Sequence, residues 1–292
     1  MHMDYGKIRW FMRKAWVQRT YAEELEHFQS PRLNPQLDKA LSEVIVELGL
    51  ADKKMDGASV RGIPVKTEGK TYVSFAAAFD CCARSYLSPV SYISAILEAC
   101  LYQKVDRCHF AEQAGRGLRA FPSFIREFDL RQGLIEEFTR RGIAVIVESG
   151  VRLDIEEHTD VKLTLFDEDG CEGRAYRLWS YLPTNRGTYN LLQKLLGRRA
   201  GGDVASGVHV LCPFPFFGKK DVVQGWYLHP ESYFVEVADA IMECEASAER
   251  GKDALSTGAA VSYDDVICDP EAHVRRVCAF EKQAPRSETH AA

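Results

Sequence analysis

The sequence predicts an α/β chain, in the wider sense α+β: a helical N-terminal region followed by a sheet flanked by helices. Two patterns predict it. Apolar residues recur at helical spacing through the first hundred residues, and from Ala144 onward period-two segments alternate with helical ones, the signature of a layered α/β core. A third observation is that 46% hydrophobic and 27% charged residues match the usage of ordinary soluble globular chains.

Taken in order, Tyr5 to Phe28 carries Ile8, Phe11, Met12, Ala15 and Tyr21 on one side and is expected as one amphipathic helix. After Pro31 and Pro35, Leu37, Leu41, Val44, Ile45 and Leu48 predict a second helix from Gln36 to Leu48. Ile63 and Val65, a Glu68-Gly69-Lys70 turn, then Tyr72, Val73 and Phe75 predict a short hairpin between Gly62 and Phe75. Two helices follow, Ala76 to Tyr86 and Val90 to Tyr102, separated by Leu87-Ser88-Pro89. A helix is expected over Pro122 to Arg140, strands over Ala144 to Glu148, Val151 to Phe166, Ala175 to Leu182 and Val208 to Pro213, and further helices over Thr188 to Leu196 and Glu231 to Ala248. The expected organisation is a helical region over 1–110, an α/β core over 111–250 and a polar tail over 251–292.

The chain has 37 basic and 42 acidic residues, a net charge of −5, which argues against coating nucleic acid by net charge alone. Nine cysteines at irregular spacing, with no C-x-x-C pair, fit reduced thiols and give a structural zinc site no support. No apolar run is long enough to cross a bilayer, and the first residues lack a signal-peptide layout, so a cytoplasmic chain with no membrane partner is expected.

Phe124, Phe128, Leu134, Ile135 and Phe138 form the apolar arc expected of the Pro122 helix. Glu127 and Arg131 fall within that arc. A carboxylate there needs a partner, a metal or a raised pKa, and the plain reading is an i,i+4 pair with Arg131. In Val151 to Phe166 the odd positions are apolar, while Arg152, Asp154, Glu156, His158, Asp160 and Lys162 share the other face. The plain reading of that face is a solvated one.

The order of a helix with an inward Glu, a strand with Asp160-Val161-Lys162, a hairpin through Asp167-Glu168-Asp169-Gly170 and a returning strand resembles the restriction-endonuclease-like PD-(D/E)xK nucleases, over about 90 residues. That resemblance implies a mixed-sheet core, with Glu127, Asp160 and Lys162 as catalytic residues and Glu127, Asp160 and Asp154 around Mg²⁺ or Mn²⁺. It further implies hydrolysis of DNA phosphodiesters, or of RNA, in a restriction or defence setting, by a chain acting with a partner protein or as a homo-oligomer. The returning strand departs from the pattern, because Arg177-Leu178-Trp179 stands where E-x-K belongs. Lys162 or Lys194 would have to replace the lysine, and Asp154 or Glu156 the second carboxylate. Without such a replacement the same fold would be a catalytically inactive nucleic-acid-binding or assembly subunit.

Arg119, Arg126 and Arg131, with Arg140 and Arg141, are the candidate phosphate contacts. The segment Gly69 to Ala77 with Ser88 to Ile93 resembles helix-turn-helix modules appended to some homing nucleases. Val90 to Tyr102 nevertheless carries no Arg or Lys, and Ile93, Ile96, Leu97 and Leu101 have core-like spacing, so that helix is expected to pack against Phe11, Leu41 or their neighbours. Gly115-Arg116-Gly117-Leu118-Arg119-Ala120 satisfies G-x-G-x-x-A without the strand before it, which excludes a dinucleotide fingerprint. Cys212 near His209 and His229 would permit a Cys-His hydrolase, against the plainer reading of a buried strand thiol.

Overall fold

The computed structural model describes residues 5–16, 18–28, 34–63, 70–153, 159–167, 169–182, 208–215, 227–249 and 260–262. The chain forms two compact units, Met1–Asp129 with Phe216–Leu228, and Leu130–Pro215 with His229–Ala292.

The first unit is helical. The expected single helix from Tyr5 is two, α1 (Tyr5–Lys14) and α2 (Tyr21–His27). The break is made by Thr20, whose hydroxyl accepts from Glu23 N while the Glu23 carboxylate accepts from Thr20 N at 2.7 Å, a capping box that starts a new helix inside a continuous apolar pattern. Asn34 and Pro35 start α3 (Pro35–Glu47), which buries Ala40, Leu41, Val44 and Ile45. After the short α4 (Gly57–Arg61), the hairpin expected over 62–75 is not formed by its described residues. Ile63 closes the α4 turn, and Ser74 caps α5 (Phe75–Ala83); residues 64–69 lie outside the described residues.

Ser88 and Pro89 start α6 (Pro89–Tyr102), which packs against α3 and α5. Its burial in the core that includes Leu41 agrees with its apolar spacing, and even Ser91 and Ser94 are buried. A recognition helix must present its side chains to a groove, and this helix presents most of its own to the core.

The next helix, α7 (Phe110–Arg140), begins twelve residues before its expected start and runs through Pro122. Gly115 and Gly117 are helical within it. Gly117 meets α6 so closely that a Cβ there would lie 2.3 Å from the Ile96 Cδ1. The residues of α7 up to Asp129 belong to the first unit and those from Leu130 to the second.

The second unit holds a five-stranded mixed sheet in the order β1 (Val145–Ser149), β2 (Val161–Phe166), β3 (Glu172–Tyr181), β4 (Val208–Pro213), β5 (Ala260–Ser262). β1, β2 and β3 are antiparallel neighbours, β3 and β4 run parallel, and β5 returns antiparallel from the region expected as a polar tail. With the helical region before it, this is the α/β class expected from the sequence. The β2–β3 turn is held by Asp167, whose carboxylate accepts from Cys171 N at 2.7 Å, and by Gly170 at φ +76°. The strand expected from Val151 is shorter: Gly150 sits at φ +129°, residues 151–153 are helical, residues 154–158 lie outside the described residues, and β2 starts only at Val161. The helix expected over 188–196 also lies outside them.

Val161, Leu163 and Leu165 of β2, Tyr176 and Leu178 of β3, and Val210 and Cys212 of β4 share one face. That face packs with Leu130, Leu134 and Phe138 of α7 and with Phe234, Val237, Ala238 and Ile241 of α8 (Glu231–Glu249). Thr164, Arg177, Trp179 and Leu211 are buried on the opposite face, so β3 is enclosed on both sides.

Candidate functional site

Glu127 lies on α7 in the first unit, and Asp160 and Lys162 lie in the second. Asp154, Glu156, His158 and Lys194 lie outside the described residues. Among the described residues, no three His, Cys, Asp or Glu side chains come together as a metal centre would require.

The buried stripe of α7 runs through Leu118, Phe121, Ile125, Leu130, Leu134 and Phe138, whereas Phe124, Phe128 and Ile135 are only partly buried. The arc is therefore rotated from the one expected, and Glu127 is half-buried at its flank, where its charge interacts with Arg126. The carboxylate on the buried stripe is Asp129, four residues beyond Ile125 and fully enclosed. Tyr5 donates its hydroxyl to Asp129 Oδ1 at 2.5 Å, and the Arg9 Nε lies 3.5 Å from the same oxygen, so α1 satisfies the buried charge. The signal for it was in the sequence as the spacing Leu118, Phe121, Ile125, Asp129.

The expected phosphate contacts divide by burial. Arg119 is exposed. Arg126 is buried and donates to Ser123 Oγ at 3.0 Å, and desolvation pulls its guanidinium down to about 10. It is thus withdrawn from any surface polyanion. Arg131 donates its Nε to Val147 O at 2.9 Å, tying α7 to β1. Because Phe166 N donates to Ala144 O, the even residues of β1 turn their backbone groups to β2, so Val147 O points to the outer edge of the sheet. Arg140 and Arg141 both grip Glu137.

Asp160 immediately precedes β2 and is buried, and its Oδ2 accepts from Ser180 N at 3.1 Å near the end of β3. Its charge reaches the Cys212 thiol, which burial pushes up to about 12 and so holds protonated. The ring of His229 stacks on Tyr233 at 5.0 Å and meets Phe214 edge-on at 4.8 Å. The phenol of Tyr233, driven well up by burial, interacts with Cys212 and Tyr181. Asp160, Tyr181, Cys212, His229 and Tyr233 thus gather where β2 begins and the parallel strands β3 and β4 end, the edge at which open α/β sheets place their ligands. The full burial of Cys212 agrees with the plainer reading of a buried strand thiol. The His209 side chain lies outside what is described.

Lys162 has other neighbours. Register sets it beside Glu148 of β1 and Arg177 of β3, on the face opposite Cys212. Asp160 and Lys162, two apart in sequence, therefore do not continue one strand row, because Asp160 stands in the bend before the strand. Glu148, unremarked in the sequence, is the described carboxylate that register brings to Lys162. Compared with known proteins, the chain matches no family model, no curated protein and no solved structure.

Proposed function

We propose that the second unit is a restriction-endonuclease-like core that hydrolyses DNA phosphodiesters with Mg²⁺. The observation that carries this reading is Asp160: a buried carboxylate, held by a backbone N–H where one strand starts and its hairpin partner ends, in the chain order helix, strand, hairpin, strand. Mg²⁺ takes oxygen ligands and keeps several waters, so a fixed carboxylate is a suitable first ligand. The fit is partial, since Asp160 offers one anionic side chain and a second must come from Asp154 or Glu156. When bound, the ion would stabilise charge developing on the phosphoryl oxygens. Register sets Lys162 on the other face of the sheet beside Glu148, so the lysine this chemistry uses would be Lys194.

A second reading, a nucleic-acid-binding subunit without cleavage, is favoured by β3. Arg177-Leu178-Trp179 supplies neither carboxylate nor lysine, and Arg177 and Trp179 are both buried. One experiment separates the two. Purified chain is incubated with supercoiled plasmid and Mg²⁺ or Mn²⁺, beside Asp160→Asn. The nuclease reading expects metal-dependent cleavage in the wild type and a loss of about 100-fold or more in the variant, with an unchanged melting temperature. Binding without cleavage by the wild type in either metal supports the second reading.

A further inference from the structure

Near the start of α7 an exposed ring is fixed in place by a series of contacts. Tyr72 leaves 39% of its area open to solvent. The segment that carries it is not helical, and a wholly buried side chain of α7 holds it: Tyr72 N donates to Gln113 Oε1 at 3.1 Å, and Gln113 Nε2 donates to Lys70 O at 2.9 Å. One amide thus serves the backbone of this segment as a neighbouring strand would. The Tyr72 ring is backed by the His109 imidazole, with centroids 5.2 Å apart and a tilt of 37°. The His109 Nδ1 lies 3.7 Å from Glu112 Oε2, and the other oxygen of Glu112 lies 3.6 Å from Arg116. Phenol ring, imidazole, carboxylate and guanidinium therefore form one continuous row.

Glu112, Arg116 and Arg119 stand at i, i+4 and i+7 of α7 and share one face of the helix. Arg119 is exposed, and so is Lys70, two residues before Tyr72. The carboxylate of the row, Glu112, is set between His109 and Arg116; Asp106, before His109, caps the turn by accepting from Cys108 N at 3.2 Å and has Lys104 and Arg107 as exposed neighbours in sequence. The surface around Tyr72 is thus positive in balance. A ring already held in place loses little freedom when it is covered, and its π-face suits a flat aromatic partner. Cations along the adjoining helix suit a partner with repeated negative charge. A nucleobase with its phosphate has both properties. An anionic bilayer needs a contiguous apolar stripe, which one ring backed by an imidazole does not supply, and an acidic peptide would satisfy the arginines but leave the ring without a counterpart. In a duplex the base faces are covered by their neighbours, so the ring selects a single strand.

We propose that Tyr72, backed by His109, is a stacking platform of the first unit for a base of single-stranded nucleic acid, with Lys70, Arg116 and Arg119 as its phosphate contacts. Such a platform rests on the nucleic-acid part of the reading above and works whether or not the second unit cuts.

Fluorescence anisotropy of the full chain with a short labelled oligothymidine, in EDTA so that no metal-dependent cleavage occurs, reads binding apart from cleavage. Oligouridine and a duplex of the same length are the further arms. A single strand of either sugar should bind about tenfold or more tighter than the duplex. Tyr72→Leu, which keeps the backbone bonds to Gln113, should weaken single-strand binding about tenfold, while Tyr72→Phe, which keeps the ring, stays close to wild type. Arg119→Gln should lower the slope of log K against log salt by about 0.7, one phosphate contact on a single strand, and serves if Tyr72→Leu fails to fold. Equal or tighter binding of the duplex overturns the platform, as does an affinity unchanged in Tyr72→Leu or a salt slope unchanged in Arg119→Gln. So does polyglutamate binding as tightly as the strands, which assigns the surface to an acidic peptide. Wild-type protein that cleaves plasmid with Mg²⁺ yet binds neither single strand loses the platform and keeps the nuclease; single-strand binding without cleavage does the reverse.

Discussion

Glu137 accepts from Arg140 and Arg141 at 2.6 Å each, and Arg141 continues to Asp239 of α8 at 2.7 Å. The hydrogen bond from Arg140, with that from Arg141 and both positive charges, holds the Glu137 carboxyl below the ordinary range. A carboxyl whose folded pKa is depressed contributes stability that is complete above its unfolded value and is lost as pH falls through the folded one. Glu137→Gln should therefore lower the melting temperature by a few degrees at pH 7, and the gap to wild type should narrow as the pH is lowered below the ordinary glutamate range. Melts followed by circular dichroism at neutral and acid pH check this, and a gap of the same size at low pH would refute it. Single residues were the least legible scale of the sequence. Glu127 was read as the inward carboxylate because the wheel was centred on Phe124, whereas packing is centred on Phe121 and Ile125 and encloses Asp129 instead. Composition gives the spacing of apolar residues but not which of two adjacent arcs meets the core.

Helix α7 and helix α8 meet at Gly133, where an added Cβ would lie 2.4 to 2.5 Å from three atoms of the Phe234 ring. Gly133→Ala gains about 1 kcal/mol of helix propensity and loses about 1–3 kcal/mol to overpacking, so a net destabilisation of roughly 1–2 kcal/mol is expected. Urea titration measures it. Phe234→Leu in the same chain should recover part of the loss, and strictly additive effects would show that the two positions do not touch. Helices α3, α5 and α6 and strands β1, β3 and β4 were readable because a single period ran through each and Ser, Asn, Pro or Gly stood at its ends. The failures share a cause. Pro122 marks the expected helix start, yet α7 runs through it and through Gly115 and Gly117, and Gly117 is needed for the approach of Ile96. The pattern from Val151 alternates with period two, but the chain bends at Asp160 and pairs only from Val161. The sheet-edge cluster joins Asp160, Cys212, His229 and Tyr233 from separate stretches, and no local spacing could have announced it.

At the scale of the whole molecule, neither unit is a single stretch of chain. The first takes back Phe216–Leu228 after most of the sheet has formed, and Tyr227 and Leu228 are buried in its core beside Trp16 and Phe121. A chain cut to begin at Leu130 would keep those two residues and lose the core they fill. Such a truncation should aggregate or melt without a cooperative transition, while the full chain melts cooperatively; a sharp melt for residues 130–292 alone would contradict this. The bond from Arg131 to Val147 matters at this scale too. β1 is a border strand, and Ile146 on it is exposed. Bare border strands recruit further chains, and a guanidinium seated on the outward carbonyl occupies the central rung a newcomer would need, so the sheet ends in its own side chain and growth into fibres is discouraged from within.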